Sequence, residues 1–172
     1  MKVNCSYTKL VPIEELVPNP SNPNLHSPDQ VKRLAAILKF QGWRNPIVVS
    51  KVSGFIVKGH GRLEAAKQAG FEEVPVDEQD YETPAMEHAD LIADNRIAEL
   101  SEWNNTMLKD MLADLDTGEI DLESTGYSTE ELERLVSQFH TESPEEFPSM
   151  DEDIKTDYEC PKCGYTWSGK KA

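Results

Sequence analysis

The segment with the clearest chemical character is Gly59–His60–Gly61–Arg62, which follows an apolar run ending at Val57 and precedes a helix-like sequence. The glycines admit backbone angles closed to other residues, so a ligand can approach the main chain. The first N–H groups of a helix favour an anion, and a guanidinium fork matches phosphate oxygens. The histidine adds a further donor or a titrating group. These residue types predict a phosphate-binding turn, and the alternative is a tight turn with an exposed arginine.

A second chemical signal is the cysteine pair in "ECPKCGY", where Cys160 and Cys163 match one knuckle of a zinc ribbon. Gly164 permits the tight turn that directs both thiolates at one ion. A structural zinc ion takes four ligands and this segment supplies two. The other cysteine and the histidines of the chain are Cys5, His26, His60, His88 and His140. Three interpretations stay open: a zinc ion shared by two chains of a homodimer, a site completed by Cys5 or a histidine, and a knuckle without metal.

The length of the chain limits how many domains it can form, and the distribution of charge indicates which part can face phosphate. The 172 residues suffice for one domain with its own core plus an appendage. Residues 1–76 carry ten Lys/Arg against six Asp/Glu, a net of +4. Residues 110–157 carry sixteen acids against two basic residues, a net of −14. The first part can therefore face phosphate, whereas for the acidic part we favour a solvated helix surface over a screen against nucleic acid or a dock for a basic partner.

The sequence also indicates where the protein is found. No run of residues approaches the ~20 apolar positions that span a bilayer. The first residues lack the apolar segment of a signal peptide. Three cysteines, two of them in one CxxC, argue against a disulfide framework. We therefore expect a soluble cytoplasmic protein that does not associate with a membrane.

Helix and strand signals surround the glycine turn. Ser27 is predicted to cap a helix that begins at Pro28. The apolar face of this helix is predicted to contain Val31, Leu34, Ala35 and Leu38. Residues 46–59 predict two strands joined near Gly54, a hairpin. The turn would therefore follow the second strand of the hairpin.

The elements after the turn are less regular. A helix is predicted to begin near Gly61 and to end at Gly70. The following strand, residues 72–80, is predicted at a sheet edge because Pro75 removes a backbone donor. A longer helix from Pro84 is predicted to present Met86, Leu91, Ile92 and Ile97 on a common side. Two further helical stretches follow, and the predicted packing tryptophans are Trp43 and Trp103.

These signals predict an α+β domain over residues 1–100 and a helical extension over residues 101–140. Residues 141–157 are acidic, contain two prolines and lack periodicity, which predicts a flexible linker. Residues 158–172 form the predicted zinc-knuckle tail.

The motifs "NPIVV", "VKGHGRLEAAKQAG" and "ADNRIAE" occur in the order seen in the N-terminal domain of the ParB/sulfiredoxin superfamily, which residues 7–100 resemble. The later stretch "DLESTGYSTEELERL" is similar to the extension of phage and prophage ParB-like proteins. Those proteins are often described as ParB-like nucleases and lie near or fused to DNA methyltransferases. The resemblance implies a small mixed sheet with helices, in a phage or mobile-element protein of the bacterial host cytoplasm.

The resemblance also assigns roles to individual residues. It implies that the turn cradles the triphosphate of a nucleotide, CTP or ATP, with phosphate contacts from Gly59, His60, Gly61 and Arg62. Gly42, Asn45 and Pro46 would border the nucleotide, and Asp94 and Asn95 would hold Mg²⁺. His60 and Asp94 are the expected catalytic residues, with His60 contacting the phosphoryl group or acting as an acid or base.

The sequence departs from the family pattern at several positions. His60 and Gly61 stand where ParB proteins have Glu-Arg, so one guanidinium is missing, and Asn24 stands where many relatives have Arg. The turn lacks the reactive cysteine of sulfiredoxins, which excludes their chemistry, and its histidine resembles that of free-serine kinases. We therefore expect NTP hydrolysis or phosphotransfer in a DNA-associated process. The alternatives are a ParB-like nuclease and a noncatalytic adaptor for DNA or a methyltransferase.

Overall fold

The computed structural model describes residues 1–138 and 156–169, and it divides into two compact units, residues 1–139 and 140–172. The elements are β1 (Lys9–Pro12), α1 (Pro28–Gln41), β2 (Ile47–Ser50), β3 (Ile56–Lys58), α2 (His60–Ala69), β4 (Glu73–Gln79), α3 (Pro84–Glu99), α4 (Asn105–Leu115), α5 (Thr129–Ser137), β5 (Tyr158–Glu159) and β6 (Thr166–Trp167), with 3-10 turns at Ile13–Glu15 and Leu122–Thr125. None of the described helices is long and apolar enough to cross a membrane. His140 and most of the predicted linker, residues 141–155, lie outside the described residues.

The sheet of the first unit is small and mixed, with strand order β1-β4-β2-β3. β4 runs antiparallel to β1 and parallel to β2, and β2 and β3 form the predicted hairpin. The predicted edge position of β4 is wrong, because the strand has a neighbour on each side. A proline removes a single N–H donor, and here the buried side chains of Val74 and Val76 flank Pro75 and keep the strand in the interior.

Helices cover both faces of this sheet. α1 and α2 pack against each other and against one face, and the buried residues of this core include Val31, Ala35, Leu38, Ile47, Ile56, Leu63, Ala66, Val74 and Val76. α3 lies on the opposite face, where Leu91 packs with Val48 and Val57. Because side chains alternate along a strand, Ile56 and Val57 serve the two different cores. The turn between β3 and α2 therefore lies where both layers meet the sheet.

The predicted start of α1 and the predicted end of α2 are confirmed. The Ser27 side chain accepts a hydrogen bond from the N–H of Gln30 at 3.1 Å and Pro28 begins α1. Gly70 ends α2 in the left-handed conformation, with φ of +78°. Both signals depend on local backbone donors and acceptors, so they act whatever the tertiary contacts are.

The predicted apolar side of α3 is wrong for most of its residues. Leu91 is 2% exposed, but Met86, Ile92 and Ile97 are 50%, 57% and 68% exposed. The helix instead buries Glu87, whose carboxylate accepts hydrogen bonds from the hydroxyls of Ser50 and Ser53 at 2.8 Å each. The buried face of α3 therefore includes a carboxylate that is hydrogen-bonded to two hydroxyls. A search for apolar periodicity would place this residue on the solvent-exposed face.

The two tryptophans of the first unit differ in environment. Trp43 is fully buried and packs near the ring of Phe71, with centroids 6.1 Å apart, as the prediction of a packing residue requires. Trp103 is 71% exposed, so the same prediction for it is wrong. Trp103 lies between α3 and α4, outside the apolar layers that enclose Trp43.

Arg33 joins α1 to the helical region that follows the α+β layers. Its Nη1 donates to the carbonyl of Gly126 at 2.9 Å and to the carboxylate of Glu131 at the start of α5. Its Nε donates to Asp29, one turn earlier on α1, at 2.8 Å. Gln41 adds a second tie through the carbonyl of Ser124 at 2.9 Å. The segment that precedes α5 is thus anchored to both halves of α1.

Candidate functional site

In the turn between β3 and α2, Gly59 has the special backbone conformation expected of its two glycines, whereas Gly61 is helical. Gly59 is the N-cap of α2 with φ of +96°, a left-handed conformation in which a side chain is strained. A Cβ at this position would lie 3.2 Å from Nη1 of Arg62. No side chain caps the helix, so its first N–H groups are left for a ligand or for water.

Arg62 supplies a positive charge beside this helix start. Its Nη1 donates to the carbonyl of Pro46 at 3.4 Å, and no carboxylate of the described residues lies within ion-pair distance of its guanidinium. Burial lowers the pKa of Arg62, and the more distant charge of Asp94 opposes that change. The site therefore holds a poorly compensated guanidinium, which an anion would stabilise.

Two histidines lie at the same turn. The Nε2 atom of His60 accepts a hydrogen bond from the backbone N–H of Asn19 at 3.2 Å, which ties α2 to the loop before α1. The ring of His26 lies against Gly61, where a Cβ would be 3.0 Å from two ring atoms. A side chain at position 61 would therefore displace the His26 ring, whereas glycine leaves room for it. Burial, and secondarily the charge of His26, lowers the pKa of His60.

This lowered pKa predicts a pH-dependent stability. As the pH falls from about 6.5, the unfolded chain takes up a proton before the folded His60 does. The free energy of unfolding should therefore decrease as the pH falls through the folded pKa of His60, and protonation should break the bond from Asn19. Urea unfolding above and below that window measures the change. His60→Gln should reduce the pH dependence, while His88→Gln, on the exposed surface of α3, should leave it unchanged. An equal slope in His60→Gln and wild type would contradict this assignment.

α3 brings the predicted acid-amide pair to the same place. The Oδ1 atom of Asn95 accepts a hydrogen bond from Nδ2 of Asn24 at 2.6 Å, and Nδ2 of Asn95 donates to the carbonyl of Leu91 at 2.9 Å. Oδ1 of Asp94 lies 3.8 Å from Nζ of Lys58. A cleft of about 190 Å³ is lined by Asn22, Asn24, His26, Leu34, Val57, Lys58, Gly59, His60, Gly61, Arg62, Asp94 and Asn95. The phosphate-turn and acid-amide residues predicted from the sequence thus line one cleft.

A second cleft of about 500 Å³ adjoins the first and shares Lys58, Arg62 and Asp94 with it. Its other lining residues are Ser6, Tyr7, Thr8, Asn45, Pro46, Val48, Asp77 and Gln79. Asn45 and Pro46, which the resemblance implies border a nucleotide, thus line a cleft that Arg62 of the turn also lines. Gly42 lines neither cleft. It ends α1 with a positive φ angle, and its Cα faces the carbonyl of Lys2.

Several lining residues were not identified from the sequence. Lys58 is the clearest omission, although it directly precedes the predicted turn as the last residue of a buried strand. This position could have indicated a site residue, because a charged side chain at the end of a buried strand must extend toward the surface beside the turn. His26 and Asn22 come from the proline-rich loop before α1, and their spacing gives no indication of where they fold.

The donor types of the acid-amide pair suit Mg²⁺, which prefers carboxylate and amide oxygens. Asp94 fits this role, because the long contact with Lys58 is the one ion pair that its carboxylate makes among the described residues. The oxygen of Asn95 is already bonded to Asn24, so it would serve a metal only after that bond is released. In the part of the chain that the structure describes, no three Cys, His, Asp or Glu side chains cluster at metal-binding distances.

The second unit contains the cysteine pair. β5 and β6 form a two-stranded antiparallel hairpin, with Cys160 and Cys163 in its turn. The N–H of Cys160 donates to the carbonyl of Tyr165, and the N–H of Gly164 donates to the carbonyl of Cys160, both at 2.9 Å. The backbone N–H of Lys162, then that of Cys163, lowers the pKa of Cys160 by bonding its sulfur. The turn thus favours a thiolate at Cys160, the form that binds metals.

Comparisons with known proteins agree with this architecture. The family model of the ParB N-terminal domain matches residues 2–95, and that of the ParB-methyltransferase HTH domain matches residues 106–161. The ParB-like nuclease domain-containing protein YnaK of Escherichia coli is 40% identical over 65 residues, 38% of this chain and 74% of YnaK.

Two solved structures are also similar. The C-terminally truncated chromosome-partitioning protein ParB from Caulobacter crescentus, complexed with CTP-gamma-S, has a TM-score of 0.60 at 22% identity, covering 74% of this chain and 75% of that chain. Sulfiredoxin from Arabidopsis thaliana has a TM-score of 0.39 at 22% identity, covering 49% of this chain and 98% of that chain. The likeness to the Caulobacter structure shows the fold.

Proposed function

Because the chain belongs to the ParB N-terminal domain family, we propose that it binds a nucleoside triphosphate at the turn between β3 and α2. The observation that carries this proposal is the convergence of an uncapped helix start, the poorly compensated Arg62 and the Asp94-Asn95 pair on one cleft. Each of these features favours a polyanion or its metal ion. The Caulobacter relative complexed with CTP-gamma-S supports a nucleotide as the polyanion.

The two clefts suggest how the ligand would be divided. The phosphate groups would occupy the first cleft, against the N–H groups of α2 and the fork of Arg62. The nucleoside would extend into the second cleft, bordered by Asn45 and Pro46, since Arg62 lines both. Side chains of Thr8 and Gln79 there offer hydroxyl and amide groups for the base or sugar.

Metal and catalysis form the finer part of this proposal. Asp94 would hold Mg²⁺, joined by Asn95 once Asn24 releases it, and the ion would neutralise phosphate charge. His60 would serve as the acid or base of hydrolysis or phosphotransfer. While its Nε2 accepts from Asn19, neutral His60 carries its proton on Nδ1, which would donate a hydrogen bond to a phosphate oxygen. To act as a base, and then to return that proton as an acid, Nε2 would have to release the N–H of Asn19.

The charge of the helical region favours a second role, as an adaptor for a protein partner. Residues 106–138 carry nine acids against Lys109 and Arg134, a net of −7. Such a surface repels a DNA backbone but suits a basic protein. The match of this region to the ParB-methyltransferase HTH domain makes a DNA methyltransferase the partner to test. In this role the protein acts in a DNA-associated process through its partner.

Isothermal titration calorimetry with CTP, ATP, GTP and UTP, with and without Mg²⁺, tests the nucleotide proposal, and phosphate release measures turnover. Binding of one triphosphate that is strengthened by Mg²⁺ would support it. Failure of all four to bind would contradict it.

Pull-down with a methyltransferase tests the adaptor role separately. The pull-down is repeated with a variant that cannot bind nucleotide. If that variant no longer binds the methyltransferase, the adaptor role is not independent of nucleotide binding.

For the hairpin of the second unit we propose a zinc ion shared by two chains. The thiolate-favouring turn at Cys160 and the adjacent Cys163 fit this metal, and each chain supplies two of the four ligands that structural zinc takes. Cys5 fits less well, because burial raises its pKa and disfavours its thiolate.

The stoichiometry of zinc tests the shared site. We expect about one zinc ion per two chains, measured by elemental analysis, and a dimer that a chelator dissociates in light scattering. Cys160→Ser should abolish both, whereas Cys5→Ser should change neither. One zinc ion per chain in a monomer would instead indicate a site completed within the chain, and zinc retained by Cys160→Ser would contradict the knuckle.

A further inference from the structure

Lys58 lies in the wall between the two clefts. It is the last residue of β3, directly before Gly59, and it lines both clefts together with Arg62 and Asp94. Its side chain is only 26% exposed, so its ammonium group is held in place rather than free in solvent. A half-buried cation in this position can contact any ligand that spans the clefts.

The partners of Lys58 leave part of its hydrogen-bonding capacity open. Its Nζ lies 2.9 Å from Oδ1 of Asp90, and the other oxygen of Asp90 accepts from the hydroxyl of Tyr81 at 2.9 Å. Asp94 is 3.8 Å from Nζ, which is too far for a hydrogen bond. An ammonium group has three donors, and Asp90 is the one acceptor at hydrogen-bond distance among the ion pairs of the described residues.

Lys58 also determines the net charge of the side chains that a polyanion would approach in the first cleft. Without it, the positive charge of Arg62 faces the negative charge of Asp94 in the shared wall. Asp90 adds a further negative charge behind that wall, where Tyr81 and Lys58 hold it. Phosphate groups entering the first cleft would therefore approach two carboxylates and one guanidinium if Lys58 were absent. With Lys58 present, the positive and negative charges are balanced before any metal binds.

We propose that Lys58 is a polyphosphate-binding residue, whose ammonium group keeps its bond to Asp90 and turns from Asp94 to the phosphate oxygens when a ligand binds. This inference rests on the proposed function for the identity of the ligand, a nucleoside triphosphate. It adds a contact from the strand side of the turn, opposite the N–H groups of α2. Release of Lys58 from Asp94 also frees that carboxylate for the metal ion.

The experiment compares wild type with Lys58→Met, Lys58→Arg and the control Lys51→Met, whose lysine is exposed in the turn after β2. Each is titrated calorimetrically with the Mg²⁺ complex of the best-binding triphosphate, with the corresponding nucleoside and with inorganic tripolyphosphate. Lys58→Met should bind the triphosphate about tenfold more weakly or worse, as expected for loss of a charge-assisted hydrogen bond. Lys58→Arg should restore much of the affinity, and Lys51→Met should match wild type. A thermal melt of each variant shows that it is folded.

The outcomes separate this inference from the proposed function. If wild type binds the triphosphate and Lys58→Met binds it equally well, the inference is wrong and the proposed function stands. If wild type binds tripolyphosphate but no nucleotide, and Lys58→Met loses tripolyphosphate, the inference stands and the nucleotide proposal falls. If wild type binds neither, Lys58 has no polyanion to contact and both are overturned.

Discussion

Arg62→Ala is expected to weaken nucleotide binding strongly in calorimetry while the protein stays folded. A charge-assisted hydrogen bond contributes about 1.5–3 kcal/mol, so losing a guanidinium that makes one or two of them weakens binding by about tenfold to ten-thousandfold. The free energy of unfolding should stay within about 1 kcal/mol of wild type. The reason is that the partly buried guanidinium has only the 3.4 Å bond to the carbonyl of Pro46 among the described residues, so removing it costs little.

Two further variants test whether the loss of affinity is specific to the guanidinium of Arg62. Arg44→Ala removes an exposed arginine that lines neither of the two clefts and should bind nucleotide as wild type does. Arg62→Lys keeps the charge but loses the planar fork, so its affinity should fall between those of wild type and Arg62→Ala. Unchanged affinity in Arg62→Ala would show that the ligand does not contact this guanidinium, and the proposed function would then be withdrawn.

Trp43→Ala is expected to lower the free energy of unfolding by about 3–5 kcal/mol, a large share of the stability of a typical domain. Trp43 is fully buried beside Phe71, and its backbone joins the N-terminal segment through bonds with Lys2 and Asn4. Loss of its side chain leaves a cavity that the surrounding layers cannot close. Urea unfolding, followed by circular dichroism, measures the change.

The other aromatic variants identify the cause of that loss. Trp43→Phe keeps most of the buried ring and removes Nε1, which has no hydrogen-bond partner among the described residues. Its cost should therefore be much smaller than that of Trp43→Ala, because no polar atom is left without a partner. Trp103→Ala changes an exposed side chain and should alter stability by no more than about 0.5 kcal/mol. A large loss in Trp103→Ala would show that this residue packs against something in solution.

Features that depend on local backbone chemistry were predictable from the sequence. The cap at Ser27, the hairpin around Gly54 and the end of α2 at Gly70 each follow from residues a few positions apart. The turn at Gly59 belongs to the same class, since its left-handed conformation and helix start need only the local sequence. The local sequence thus predicts the turn itself, whereas its predicted phosphate-binding role came from the resemblance to the ParB/sulfiredoxin superfamily.

Features that depend on distant partners were not predictable. Glu87 is buried because two serines more than thirty positions earlier supply its donors, with separations of 37 and 34 residues. Pro75 occupies an interior strand because β1 and β2 reach it from other parts of the chain. His26 enters the site because Gly61 leaves room for its ring. In each case the sequence contains both partners, but no spacing rule joins them.

The three bonds of Arg33 have a mechanical consequence. The loop that carries Asn24 and His26 into the first cleft continues directly into α1, and Arg33 lies in the second turn of that helix. Because Arg33 also bonds Gly126 and Glu131, the helix that follows this loop is tied to the start of α5. α1, about 21 Å long, therefore joins the loop of the first cleft to the acidic helical region through direct contacts at both of its halves.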